Sequence, residues 1–313
     1  MNNKVMTAKD AVSQYIKDGD VVYIGGFAAN ISYALTHEII RQKKKDLTIV
    51  TSSFNEHGDQ LVGAGCVSRI ETSYFWMEVF GQCSCFRRAA EKSIPHSVQI
   101  EEYSNFAMVA RFMAGALGIP YVPLNAIKGS DLAEQTAWKG DKKLKIMSDP
   151  FGSGTVHALV PALQPDIAIV HAHRSDENGN LQIWGQVGDI PWGAKASRTV
   201  IATVEEVVDG DVIKHDPNRT CIPDFMVSAI VPEPFASHPK PVQGYYNVDR
   251  DFIFNYIKLA KTEEGLKEFM DEWVYGVKDR TEYIEKFIKK YGWQRFQGLK
   301  SSQYSAASVN YGA

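Results

Sequence analysis

"GDVVYIGGFAANIS", Gly19–Ser32, decides how the chain is read. Val21, Val22, Tyr23 and Ile24 form an apolar run rich in β-branched and aromatic side chains, which predicts a strand. Gly25 and Gly26 end it. They let the backbone turn sharply, or let another group approach closely. Ser32 stands where it can cap a helix over "YALTHEIIRQ". A glycine loop between a strand and a helix N-terminus can hold an anion or a polarised carbonyl on its N–H groups. The same residues also spell an ordinary strand-to-helix turn. Neither G-x-G-x-x-G nor G-x-x-x-x-G-K-[ST] occurs, so a dinucleotide site and a P-loop are poorly supported.

Upstream, Thr7-Ala-Lys-Asp10 resembles a capping box with Asp in place of Glu, and Ala11, Val12, Tyr15 and Ile16 give that helix its apolar face. Downstream, a helix is predicted over about 33–44, a strand over Leu47–Ser53, a short helix in "GDQLVGAG" and a strand in "VSRIETSY". "MEVFGQCSCFRRAAEKS" predicts a helix. "SVQIEEYS" reads as a strand running into the helix "NFAMVARFMAGALG", which Gly118 and Pro120 stop before the short strand "YVP". Residues 124–165 are polar and rich in Gly, Lys and Asp, and predict a surface excursion with a small antiparallel hairpin. "DIAIVHAH", Asp166–His173, is the strongest buried-strand signal. A turn ("SDENGN"), a strand ("LQIWG"), a short helix ("DIPWGAKAS") and strands in "RTVIATVEEVV" and "FMVSAIVPEP" follow.

Strand and helix alternate at close spacing, which predicts an α/β fold: an open, mostly parallel sheet with helices on both faces. Residues 250–298 predict a helical C-terminal portion, and 299–313 a loose tail. No repeat or linker divides the chain, so one domain over 1–313 is expected. Ligands of such sheets sit beyond the carboxyl ends of the strands. The loops after Ile24, Val50 and the Ser68–Ser73 strand are therefore the candidate site loops.

With 44% hydrophobic and 23% charged residues and a net charge of −3, the chain carries no nucleic-acid footprint. Its apolar runs are far short of a membrane span, and its start lacks an apolar signal core. Cys66, Cys83, Cys85 and Cys221 fit a reducing cytoplasm. Cys83-Ser84-Cys85 has no second Cys or His cluster at ligand spacing, so no metal is expected. His171 and His173 alternate onto one face of their strand and suit a hydrogen-bonded core better than a metal pair. Trp184, Trp192 and Tyr246 suit core or inter-subunit contacts.

"KVMTAKDAVSQYIKDGDVVYIGGF", "EIIRQKKKDLTIV", "EEYSNFAMVARFMAGALGIPYVP", "DIAIVHAHRSDENGNLQIWG", "IPDFMVSAIVPEPFASHP" and "EWVYGVKDRTEYIEKF" occur in order and span nearly the whole chain. Together they resemble the A (alpha) subunit of class I coenzyme A transferases, of the glutaconate CoA-transferase type. The resemblance implies transfer of CoA between an acyl-CoA and a free carboxylate. It implies a CoA thioester as substrate, with no tightly bound cofactor. It also implies a B (beta) subunit carrying the nucleophilic glutamate, and a hetero-oligomer of AB pairs in the cytoplasm. Two other readings stand beside it: a ring-cleaving hydrolase or lyase acting on a CoA thioester with the same subunit types, and a non-catalytic CoA-ester-binding protein on this fold.

No catalytic nucleophile is expected in this chain. Glu177, in "DENG", matches the surroundings of the family's glutamate, but Asn178-Gly179 is a strong hairpin signal and the resemblance puts the nucleophile on the partner. Glu78 and Ser104 are the weaker catalytic candidates. The family has a small hydroxyl residue near Glu78, and a glutamate there suits either a base or the start of the following helix. Glu101 and Glu102 are read as helix-start charges. The resemblance marks Gly25, Gly26 and Phe27 as the substrate-side loop, and the candidate loops beyond the strand ends add Asn30, Ser52, Ser53 and Tyr74 as expected substrate contacts. Glutaconate-type A subunits carry Arg and Pro shortly after this loop, whereas "AANIS" has no cation, which puts a dicarboxylate substrate in doubt.

Overall fold

The structure is a computed structural model that describes residues 4–134 and 143–301. Thr7 opens helix α1 (Ala8–Tyr15): its hydroxyl accepts the Asp10 N–H at 3.1 Å, and Ala8, Ala11 and Val12 face inward. Strand β1 (Val21–Ile24) follows. Ser32 caps helix α2 (Tyr33–Arg41) as its sequence predicts, accepting the Leu35 N–H. Then come β2 (Leu47–Val50), α3 (Glu56–Gly63) and β3 (Val67–Thr72). β2 stops three residues short of its predicted end because Thr51 turns the chain, its hydroxyl donating to the Ser53 carbonyl.

The segment predicted as one helix over 77–93 is instead two elements. A tight hairpin comes first, β4 (Trp76–Met77) and β5 (Gly81–Gln82), and only then α4 (Ser84–Lys92). Glu78 at φ +46° and Gly81 at φ +150° bend the backbone out of any helix, and Phe80 N–H closes the turn on the Met77 carbonyl. β6 (Gln99–Glu102) and α5 (Asn105–Leu117) complete the first half.

The surface excursion is β7 (Tyr121–Leu124), α6 (Asp131–Glu134), β8 (Lys145–Ser148) and β9 (Val156–Pro161). The expected hairpin pairs β8 with β9, and β7 joins it to make a three-stranded antiparallel sheet. The second half runs β10 (Ile167–Ser175), β11 (Leu181–Gln182), α7 (Ile190–Ala196), β12 (Thr199–Val207), α8 (Gly210–His215), β13 (Thr220–Ile222) and β14 (Val227–Pro232). Helices α9 (Arg250–Leu259), α10 (Glu263–Trp273), α11 (Arg280–Tyr291) and α12 (Trp293–Leu299) form the expected C-terminal portion. Of the tail, Ser301 N–H donates to the Tyr245 carbonyl; residues 302–313 lie outside the described ones.

Seven strands run parallel in the order β6-β3-β2-β1-β10-β12-β14. β11 and β13 extend the upper part of β10 antiparallel. At the centre of the sheet both faces are covered, so β1 (VVYI) and the first half of β10 (IAIV) are apolar on both faces rather than alternating with polar residues. Val22 and Ile24 enter one core with α1, α2, α3 and the C-terminal helices, while Tyr23 enters the other with α5 and α7. From β1 the chain works outward through β2, β3 and β6. It then returns to β10 on the other side of β1 and works outward the opposite way. The crevice beyond the carboxyl ends of β1 and β10 is the topological switch point, where open α/β sheets bind ligands.

Candidate active site at the switch point

The loop after β1 occupies this crevice and is strained. Gly26, Ala28 and Asn30 have φ of +112°, +57° and +56°. Non-glycine residues in this region cost about 1–3 kcal/mol each, and such strain gathers at functional sites. The two glycines do different things. A Cβ on Gly25 would press on Val170, Ile190 and Tyr23 at 3.1–3.3 Å, so this residue lets β1 pack under α7. A Cβ on Gly26 would meet the Ala29 carbonyl at 2.7 Å and the Asn30 carbonyl at 2.8 Å, so the close approach it permits is within its own loop. Asn30 is fully buried; its N–H donates to the Pro241 carbonyl and its amide to the Gln186 carbonyl, both at 3.2 Å. Ile31 N–H donates to Ser237 Oγ at 3.0 Å.

Phe27 and Tyr74 are half-buried, with ring centres 6.5 Å apart. Of the residues expected to contact substrate, these two keep open side-chain surface. Ser52 and Ser53 are buried. Ser52 Oγ donates to Asp189 at 2.6 Å, tying the loop after β2 to the start of α7. Burial raises the Asp189 carboxyl above its ordinary range, against the opposing pull of Ser52 and Tyr23. Ser53 N–H is held by Thr51 Oγ1, and Asn55 Nδ2 reaches Ser53 Oγ at 3.4 Å.

Glu78 does not start a helix. It sits in the left-handed turn of the β4–β5 hairpin, and its carboxylate enters a buried network. Asn55 Nδ2 donates to Glu78 Oε1 at 2.7 Å, and Lys240 Nζ donates to Glu78 Oε2. Lys240 also lies 3.1 Å from Glu56 Oε1, and Tyr33 Oη donates to Glu56 Oε2 at 3.1 Å. The side chains of Lys240 and Glu56 are each 1% exposed and that of Glu78 is 16% exposed. Burial, then the neighbouring Glu56, push the Glu78 carboxyl up, while Lys240 and Asn55 pull it down. Burial opposes the Lys240 charge, but the two carboxylates outweigh it and hold its ammonium above the ordinary value. His57, on the same helix as Glu56, is pushed down to about 3 by burial and by Lys240, so it is neutral. Residues 55–57, 78 and 240 meet only through the fold. No local motif joins them; the one sequence cue was Glu78, as a departure from a pattern.

The other sequence candidates lie elsewhere or are spoken for. Ser104 is the N-cap of α5, its hydroxyl accepting the Ala107 N–H at 3.2 Å. Glu101 and Glu102 belong to β6 rather than to a helix start, because the helix begins only at Asn105. Glu101 accepts the Tyr103 hydroxyl at 2.6 Å, and the Glu102 carbonyl accepts the Lys143 ammonium. Glu177 is exposed in a turn built by its neighbour: Asp176 Oδ1 accepts the Gly179 and Asn180 N–H groups, both at 2.9 Å. His171 Nδ1 pairs with the Thr203 hydroxyl at 2.9 Å, and its Nε2 lies 3.1 Å from Glu205. His173 packs its ring 3.9 Å from Trp184, and burial first, then His171, push it down to about 3. Burial raises the thiols of both Cys83 and Cys85. No helix among the described residues is long and apolar enough to cross a membrane.

The family model described as coenzyme A transferase matches residues 5–233. The chain is 35% identical to the A subunit of 3-oxoadipate CoA-transferase from Pseudomonas knackmussii, over 91% of this chain and 99% of that one. It is 33% identical to the A subunit of glutaconate CoA-transferase from Acidaminococcus fermentans, over 91% of this chain and 92% of the other. The crystal structure of glutaconate coenzyme A-transferase from the same organism superposes with a TM-score of 0.87 at 32% identity, covering 97% of this chain and 98% of that one. An uncharacterized protein of Archaeoglobus fulgidus is 41% identical over 91% of this chain, which spans only 62% of that relative's length.

Proposed function

The chain belongs to the coenzyme A transferase family, and from that premise we propose that it is the A subunit of a heteromeric acyl-CoA:carboxylate CoA-transferase. The observation that carries this reading is the end-to-end likeness, in sequence to the A subunit of a glutaconate CoA-transferase and in fold to a chain of the enzyme's crystal structure. In the reaction the B subunit's glutamate attacks the thioester carbonyl, expelling CoA thiolate and leaving an acyl-glutamyl anhydride. The thiolate returns to the glutamyl carbonyl and releases the first carboxylate, and a second carboxylate reverses both steps. The CoA thioester is a substrate, not a resident group, and the enzyme works in the cytoplasm as AB pairs or multiples of them.

This chain supplies one wall of the acyl pocket. Phe27 and Tyr74 face the acyl group. Gly25, Gly26, Asn30, Ser52 and Ser53 shape the loops behind that wall, since their own contacts are inside the chain. One observation favours a second reading, hydrolysis or C–C cleavage of a CoA thioester: Glu78 is a partly exposed carboxylate whose proton affinity is raised, as a water-activating base requires.

Co-expression with the B subunit separates these readings. The assembled enzyme should exchange CoA between an acyl-CoA and a carboxylate, and the chain purified alone should be inactive. Turnover by the isolated chain would overturn the proposal. Consumption of the CoA ester without any carboxylate acceptor, by release of free CoA or by cleavage of the acyl carbon skeleton, would select the second reading.

A further inference from the structure

We propose that Glu78 is a charge filter that restricts the acyl group to chains without a second carboxylate; this rests on the transferase reading above. The geometry is one of imbalance. Glu56 and Glu78 share the single ammonium of Lys240, two carboxyl groups to one cation. Lys240 and Glu56 are sealed in, and the member with open surface is a carboxylate.

Apart from Lys240, no Lys or Arg occurs in the segments that converge here, residues 25–31, 51–55, 73–83, 183–190 and 237–241. Two buried side-chain oxygens here are spare acceptors. The side-chain carbonyls of Asn30 and Asn55 are both buried and have no partner among the described residues, while the amides of the same side chains already donate inside the chain. Those carbonyls would accept from a donor and would repel a carboxylate.

Glu78 also adjoins the proposed acyl wall. Its charge helps raise the Tyr74 phenol, after burial, and the Tyr74 ring neighbours Phe27. Trp76 and Val79, on either side of Glu78 in the hairpin, are 40% and 90% exposed, so the filter stands in an apolar collar. A neutral acyl chain meets aromatic and aliphatic surface there. A distal carboxylate meets a like charge, and the nearest cation, Lys240, is sealed behind it and already shared by two carboxylates.

Pentanoyl-CoA and glutaryl-CoA have the same chain length and differ by a terminal methyl against a carboxylate, so they isolate the effect. Both are to be assayed on the AB enzyme with acetate as acceptor, and their binding measured by calorimetry. The wild type should favour pentanoyl-CoA by about tenfold or more in kcat/KM and in affinity. E78Q removes the charge and keeps an amide of the same shape; it should shrink that ratio by about tenfold, whatever its absolute rate.

Equal or better use of glutaryl-CoA by the wild type overturns the proposal, and so does an unchanged ratio in E78Q. So does an equal loss for both esters, which would make Glu78 a general base. If E78Q fails to assemble, the wild-type ratio decides. If no CoA exchange occurs with any pair, the transferase reading falls, and the two binding constants still decide the filter.

Discussion

Replacing Lys240 with Met removes the ammonium between Glu56 and Glu78 while keeping a side chain of similar length. At 3.1 Å from Glu56, a charge pair at an effective dielectric of ~20 is worth about 5 kcal/mol before desolvation is subtracted. Deleting one partner of a buried pair costs about 3–5 kcal/mol, because the carboxylates left behind stay buried without compensation. Unfolding entropy of ~2.1 cal/mol/K per residue over 313 residues gives about 0.66 kcal/mol/K, so a loss of 4 kcal/mol lowers Tm by about 6 °C. The loss should depend on pH. Without Lys240, burial and mutual repulsion raise the folded-state carboxyls above their unfolded value. A carboxyl shifted that way binds more protons folded than unfolded, so stability falls as pH rises through the folded pKa. The gap between K240M and wild type should be smaller near pH 5 than near pH 8, and E56Q added to K240M should close part of it. Calorimetric scans at the two pH values check this. A drop below about 1 °C, or a gap that widens toward acid, would refute the ion-pair account.

Gly26→Ala should cut kcat/KM of the AB enzyme by about tenfold or more and also lower Tm by a few degrees, because the new Cβ meets two backbone carbonyls at a φ of +112°; a variant matching wild type in both would show that the loop relaxes freely. Glu177→Ala should leave kcat within about tenfold, since Asp176 builds that turn and loss of a true nucleophile costs many powers of ten. Hydride reduction followed by mass spectrometry should find no CoA ester trapped on Glu177.

Much of the fold was legible because its signals are local. The run Val21–Ile24, the caps at Thr7 and Ser32, and the nine-residue strand that begins at Ile167 each declare themselves within a few residues. The reading over 77–93 failed for a local reason too: the helical spacing of "CSCFRRAAEK" was extended backward across a turn that depends on a left-handed Glu78, a residue type with no special liking for that conformation. The loops of the candidate site are legible because the strands that end in them are. The network within them is not, since Glu56, Glu78 and Lys240 come from distant segments and only the packed fold makes them neighbours. The positions of Ser52, Ser53 and Asn30 follow from the strand ends; their partners, Asp189, Thr51 and Gln186, belong to tertiary geometry and local turns that no pattern spells.

The switch point also sets an order of events during synthesis. β1 pairs β2 through a connection of 22 residues, but its other neighbour, β10, begins 143 residues after β1 ends. At ~5–20 residues per second, the ribosome delivers that partner about 7–29 s later. Until then the nascent chain can assemble β1, β2, β3 and β6 with one apolar edge of β1 bare, an invitation to mispairing with other chains. The crevice does not exist in that interval. It is created when β10 closes on β1 across that long separation, so a polypeptide released before β10 has docked lacks the crevice altogether, and a slow, high-contact-order step of folding is also the one that builds the candidate site.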